Sequence, residues 1–151
     1  MDEYFLEEKI EAKDFKKIWT KQPLVAIFWR TGCSTCRFTL PYFDKIQQAY
    51  PDSKILGISQ DDYETTESFC ISNEITFENI VDTGYKLSHK LGLSTVPTYY
   101  LIDTYGKIIE HGMGFDKAKI NHIAELIAEK TGEEYSPIIT QYDQVPDFSP
   151  G

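Results

Sequence analysis

Cysteine is scarce in this chain: Cys33, Cys36 and Cys70 are the only three in 151 residues. That is too few for a framework of disulfides. No stretch approaches the ~20 consecutive apolar residues of a membrane span. The opening residues Met1-Asp2-Glu3-Tyr4 are acidic, where a secretion signal needs a basic stretch ahead of an apolar one. The sequence as given is therefore expected to be cytoplasmic, or extracytoplasmic if a signal or anchor has been trimmed from it. Basic residues are also few, with 15 Lys and Arg against 24 Asp and Glu and a net charge of −9. Nucleic acids and anionic membranes are recognised through basic patches, so neither is expected as a partner. Histidine is equally rare. His89, His111 and His122, with Cys70, show no paired spacing that would complete a four-ligand zinc set with Cys33 and Cys36. No metal and no other cofactor is expected.

What is abundant builds a core. Hydrophobic residues make up 41% and aromatics 14%, and a single domain of this length buries about 70% of its unfolded surface. Residues 5–20 mix charge with spaced apolar positions (Phe5, Leu6, Ile10, Phe15, Ile18, Trp19) and read as a strand fragment or short helix packed on the domain. Leu24 to Trp29 is a continuous apolar run, the pattern of a strand buried on both faces. Residues 34–49 read as a helix with Phe38, Tyr42, Ile46 and Ala49 on one stripe and Pro41 inside it as a source of a kink. A second buried strand, Lys54 to Ser59, leads to Asp61-Asp62 as turn and cap, then a helix to about Asn73. A short strand at 79–81 and a helix over 85–91 ended by Gly92 follow. Tyr99 to Ile102 and Lys107 to Glu110 read as a hairpin. Residues 116–130 form a closing helix with Ile120, Ile123, Ala124, Ile127 and Ala128 on its buried face. The alternation predicts an α/β fold whose parallel sheet gains antiparallel strands from the hairpin. Residues 1–132 are expected to be the domain, and residues 133–151 a proline-containing tail or linker without a clear element.

Cys33-Ser34-Thr35-Cys36 stands between the first strand and the first helix. A Cys-x-x-Cys pair is by itself compatible with half a zinc site or with redox chemistry. Its placement favours the second. A cysteine at a helix N-terminus faces unpaired backbone N–H groups and the positive end of the helix dipole, and both favour the nucleophilic thiolate. Cys33 is then expected to be the exposed attacker and Cys36, one turn on, the covered thiol that resolves the mixed disulfide. Arg30 and Arg37 flank the pair and would lower the Cys33 pKa if either lay near it. Far downstream, Thr95-Val96-Pro97-Thr98 precedes a strand. A cis-proline there would offer the Val96 backbone to a substrate peptide as an edge to pair with.

Phe28-Trp29, Cys33-x-x-Cys36, Pro41, Val96-Pro97-Thr98 and the terminal hairpin and helix together resemble the thioredoxin superfamily, over roughly residues 15–130. The extra helix and strand between Cys36 and Pro97 resemble the TlpA-like reductases. The resemblance implies a thioredoxin fold, a mixed sheet flanked by helices, with that helix–strand insertion ahead of a cis-proline loop. It implies a thiol–disulfide oxidoreductase in which Cys33 attacks, Cys36 resolves and the two form the redox-active disulfide, leaving Cys70 free. Trp29, Gly32, Ser34, Thr35, Val96 and Pro97 are the expected substrate contacts. Expected partners are protein thiols and disulfides with an upstream reductant or oxidant, and the protein is expected to be a monomer.

The chain departs from that pattern at three positions. Ile27 stands where thioredoxins have a buried aspartate, Gly32 where they have an aromatic, and Thr39 where TlpA-like proteins often have a glutamate. Both familiar proton acceptors for Cys36 are missing, so slow resolution is expected, with Asp61 or Asp62 as substitutes through water or simply as helix caps. The family's N-terminal hairpin is expected to be shortened. A peroxiredoxin-like peroxidase is the enzymatic alternative, although Arg30 and Cys33 stand where such enzymes have Thr or Ser, three positions before the reacting cysteine. A thioredoxin-fold interaction module without turnover is the other. Val145-Pro146-Asp147-Phe148-Ser149-Pro150-Gly151 resembles the opening of many thioredoxin-like domains, so the chain is expected to be cut from, or related to, a longer tandem protein.

Overall fold

The computed structural model describes residues 22–151. The element expected over residues 5–20 and the shortened N-terminal hairpin lie outside them. The central sheet has five strands in the order β3-β2-β1-β4-β5. Strands β1 (Leu24–Trp29), β2 (Lys54–Ser59) and β3 (Glu78–Val81) run parallel. Strand β4 (Thr98–Ile102) runs antiparallel to β1, and β5 (Ile108–Met113) antiparallel to β4. This is the mixed sheet of the thioredoxin fold.

β1 lies between β2 and β4, so both its edges are paired and both its faces are covered. Every one of its residues is buried, which is why its sequence is unbroken by polar residues. The antiparallel pairing of β1 and β4 matches Phe28 with Thr98. The end of β1, which leads into Cys33, therefore lies beside the start of β4, which follows Pro97. Two segments more than sixty positions apart meet because their strands are neighbours of opposite direction.

Helix α1 (Ser34–Ala49) buries Cys36, Thr39, Leu40, Phe43 and Ile46. The expected stripe through Phe38, Tyr42, Ile46 and Ala49 is rotated from this face. Phe38 and Tyr42 lean instead on Phe115 at ring-centroid distances of 5.0 and 5.7 Å, and Ala49 is exposed. The charged member of the buried face, Asp44, is masked in the pattern. Its carboxylate accepts bonds from Thr76 N (2.9 Å), Thr76 Oγ1 (2.9 Å) and Phe77 N (3.0 Å), and so holds the chain entering β3. Helix α2 (Tyr63–Ser72) is capped by Asp62, which accepts from Thr65 N. A 3-10 turn at Thr83–Tyr85 leads into α3 (Lys86–Lys90). A two-residue strand β6 (Phe115–Asp116) then precedes α4 (Lys117–Thr131), which buries the five residues expected of it and ends at Gly132 in the left-handed region.

Residues 133–151 carry more order than their composition suggests. Asn121 of α4 accepts from Ile138 N (3.0 Å) and Ile139 N (2.9 Å) and donates to the Ile139 carbonyl (2.9 Å), and Ile139 is buried. Asp143 accepts from the Tyr42 hydroxyl (3.1 Å). Phe148–Ser149 forms strand β7, antiparallel to β6. The expected absence of any element in this segment is corrected accordingly. Its regularity comes from tertiary partners that local composition does not encode.

Candidate active site

The loop between β1 and α1 is set by backbone bonds. Thr31 N donates to Asp61 Oδ2 (2.7 Å) and Cys33 N to the Arg30 carbonyl (3.4 Å). Cys33 then caps α1 with an extended backbone, and its Sγ accepts from Cys36 N (3.1 Å). Sulfur thus fills the role that a Ser, Thr, Asp or Asn oxygen usually fills at an N-cap. The same Sγ donates to the Val96 carbonyl (3.5 Å), and the Val96–Pro97 peptide is cis. Cys33 Sγ thus sits at the head of α1, between a backbone N–H of the first turn and a carbonyl of the cis-proline loop.

Cys36 is fully buried. Burial, then its hydrogen bond with Cys33, pushes its thiol well above the ordinary range, and Arg30 opposes this only in part. It is a neutral thiol at physiological pH. All three cysteines are free, so the structure is the dithiol form.

Several expected residues sit differently from the sequence reading. Cys33 is 6% exposed rather than open to solvent, with its Sγ against the Val96 carbonyl. Trp29 is fully buried; its Nε1 donates to Asn79 Oδ1 (2.9 Å) and its ring packs on Phe69 at 5.1 Å. It therefore supports the strand from beneath and offers a substrate no surface. Gly32 and Ser34 are exposed beside Cys33, while Thr35 and Val96 are buried there. Arg37 turns away from the sulfurs: Nε donates to the Thr31 carbonyl (3.2 Å), and the guanidinium lies 5.7 Å above the Phe69 ring.

No replacement for the missing proton acceptor adjoins Cys36 among these groups. Thr39 spends its hydroxyl on the Thr35 carbonyl (2.6 Å), Asp61 on Thr31 N and Asp62 on Thr65 N. Cys70 is half-buried, accepts from Asn79 Nδ2 (3.5 Å), and has its thiol pushed up by burial and then by the Asp44 charge. Among the described residues no group of three or more His, Cys, Asp or Glu could hold a metal ion.

Sequence reasoning missed Asn79, whose amide ties Trp29 to Cys70, although Gly57 carried a signal. A Cβ at Gly57 would stand 1.8 Å from Asn79 Oδ1. A glycine inside a buried strand marks such a close approach. It also missed that Thr35 Oγ1 donates to the Pro150 carbonyl (2.8 Å).

A dithiol at the head of a helix, facing a cis-proline loop across a mixed sheet, defines the thioredoxin-fold class of thiol–disulfide oxidoreductases. Within that class the chain belongs to the AhpC/TSA family, whose model matches residues 4–111. It is similar to sporulation thiol-disulfide oxidoreductase A of Bacillus subtilis, 28% identical over 136 residues, covering 85% of this chain and 78% of that one. It is also similar to thiol-disulfide oxidoreductase ResA of Bacillus thuringiensis, 30% identical over 110 residues, which are 71% of this chain and 61% of the relative. The fold matches the crystal structure of StoA from Bacillus subtilis with a TM-score of 0.60 at 23% identity, over 70% of this chain and 82% of that one.

Proposed function

We propose that this chain exchanges electrons with protein disulfides through Cys33 and Cys36. The observation that carries the reading is the placement of Cys33 Sγ between a helix N–H and the carbonyl of the cis-proline loop. A thiolate there can attack one sulfur of a substrate disulfide. The Cys33–substrate bond forms, the substrate S–S bond breaks, and the departing sulfur leaves as a thiolate that takes up a proton. Cys36, once deprotonated, attacks Cys33 Sγ, closes the Cys33–Cys36 disulfide and expels the second substrate thiolate. Two electrons pass from the dithiol to the substrate, and the same steps reversed would oxidise a substrate dithiol. A separate reductant or oxidant of the same thiol chemistry resets the pair.

In this reading Gly32, Ser34, Thr35, Val96 and Pro97 form the substrate edge, with the protein acting as a monomer. Residues 1–132 are the redox domain and 133–151 a tail docked on it. Cys36→Ser tests the reading. Incubated with a protein disulfide, the variant is expected to accumulate mixed disulfides mapped to Cys33. No adduct at Cys33, or a bridge through Cys70 in the oxidised wild type, refutes it. Peroxide consumption without disulfide exchange would favour the peroxidase alternative instead.

A further inference from the structure

The edge at which the proposed reaction needs a substrate chain is already occupied. Residues 148–149 form β7, and residues 150–151 run on from it along that edge. Ser149 pairs with Phe115 and Phe148 with Asp116. The Pro150 carbonyl accepts from Thr35 Oγ1 (2.8 Å), a residue between the two cysteines. Gly151 then lies against the cis-proline loop: a Cβ there would stand 2.0 Å from the Val96 carbonyl oxygen and 2.7 Å from Thr95 Oγ1. That carbonyl is the one meeting Cys33 Sγ. On the other side Gly114, at φ +69°, admits the segment closely, since a Cβ there would meet the Ser149 carbonyl at 2.5 Å. Backbone pairing and side-chain donors to carbonyls are how an extended peptide is held on an edge.

The segment is fastened upstream, and most of its own residues face solvent. Asp147 O accepts from Lys117 N (3.0 Å), and Asp143 accepts from the Tyr42 hydroxyl. Phe148, Pro150 and Gly151 are exposed. Such a segment can lift without unfolding the domain, because Phe148, its large apolar side chain, is itself 53% exposed and takes no place in the core.

We propose that Phe148–Gly151 is a displaceable strap that occupies the place of the substrate peptide beside Cys33, so that a substrate gains the sulfur only by lifting it. The proposal rests on the reading of Val96-Pro97 as the substrate edge. It also names what the edge accepts: an extended segment with a carbonyl opposite Thr35 and a residue without a bulky side chain facing the Val96 carbonyl.

The test is the rate at which iodoacetamide alkylates Cys33 in the reduced 151-residue chain, followed by mass mapping. Gly151→Val cannot be seated against Val96 and is expected to speed alkylation about fivefold or more, since reactivity scales with the open fraction. Gly114→Ala presses on the Ser149 carbonyl from the other side and is expected to act in the same direction. Rates within about twofold of wild type in both variants overturn the strap, a limit set by the same open-fraction scaling. Alkylation needs no disulfide exchange, which keeps the two readings separable. Strap-dependent alkylation with no mixed disulfide in Cys36→Ser sinks the exchange reading alone. Normal exchange with strap-independent alkylation sinks the strap alone.

Discussion

Resolution of a Cys33 mixed disulfide should depend steeply on pH, because Cys36 has to lose its proton unaided. A thiol at the ordinary value of 9.0 is about 1% ionised at pH 7, and Cys36 lies higher, raised first by burial and then by its bond to Cys33. Thr39, Asp61 and Asp62 each bond a backbone group, and none of them is hydrogen-bonded to Cys36. Each pH unit from about 6 to 9 should therefore raise the resolution rate nearly tenfold, without a plateau. Rapid mixing of the dithiol with an aromatic disulfide reads this directly. One aryl thiolate is released as Cys33 attacks and a second as Cys36 resolves, and the rate of the second phase is plotted against pH. A second phase that is flat between pH 6 and 8 refutes the reasoning, since it would mean a base or a thiolate already in place. Thr39→Glu sets a carboxylate on the next turn. General-base help of about 100-fold is typical, so the variant should resolve at least about tenfold faster at pH 7 and lose much of the slope. The stability sign follows from the same shift. A raised folded pKa leaves the Cys36 contribution intact below the unfolded value of 9.0 and removes it progressively as pH climbs above that, so this group weakens the dithiol form in alkali.

Two further substitutions probe the frame that holds the sulfurs. Asp44→Ala strands the N–H groups of Thr76 and Phe77 and should cost about 3 kcal/mol or more in urea unfolding, where a loss under about 1 kcal/mol would show that Asp44 does not hold β3. Asn79→Ala leaves the Trp29 indole N–H buried without its partner. A loss of about 1–3 kcal/mol is expected, with a shift in tryptophan emission, and unchanged emission would contradict the bond.

Where the chain could be read correctly, the signal was local and periodic. The apolar run of β1 and the stripe of α4 each report burial residue by residue, so their bounds and buried faces emerge from spacing alone. Helix α1 was placed correctly but its face was not. Asp44 is buried because Thr76 and Phe77, in another segment, satisfy its carboxylate, and Thr39 because its hydroxyl bonds the Thr35 carbonyl one turn back in the same helix. Trp29 was misjudged for the converse reason: its partner Asn79 lies 50 positions away, and nothing beside Trp29 in sequence announces it.

The sequence alone determined the chemistry: two sulfurs three positions apart at a strand-to-helix junction, in a chain without a base at positions 27 or 39. Only the tertiary structure decided what those sulfurs face. The antiparallel pairing of β1 with β4 brings the Val96 carbonyl to Cys33, and the β6–β7 pair lays Pro150 and Gly151 over the same edge. Strand neighbours are chosen by burial and by backbone hydrogen bonding across the whole sheet, so a local pattern of residues can announce a strand without announcing what lies beside it.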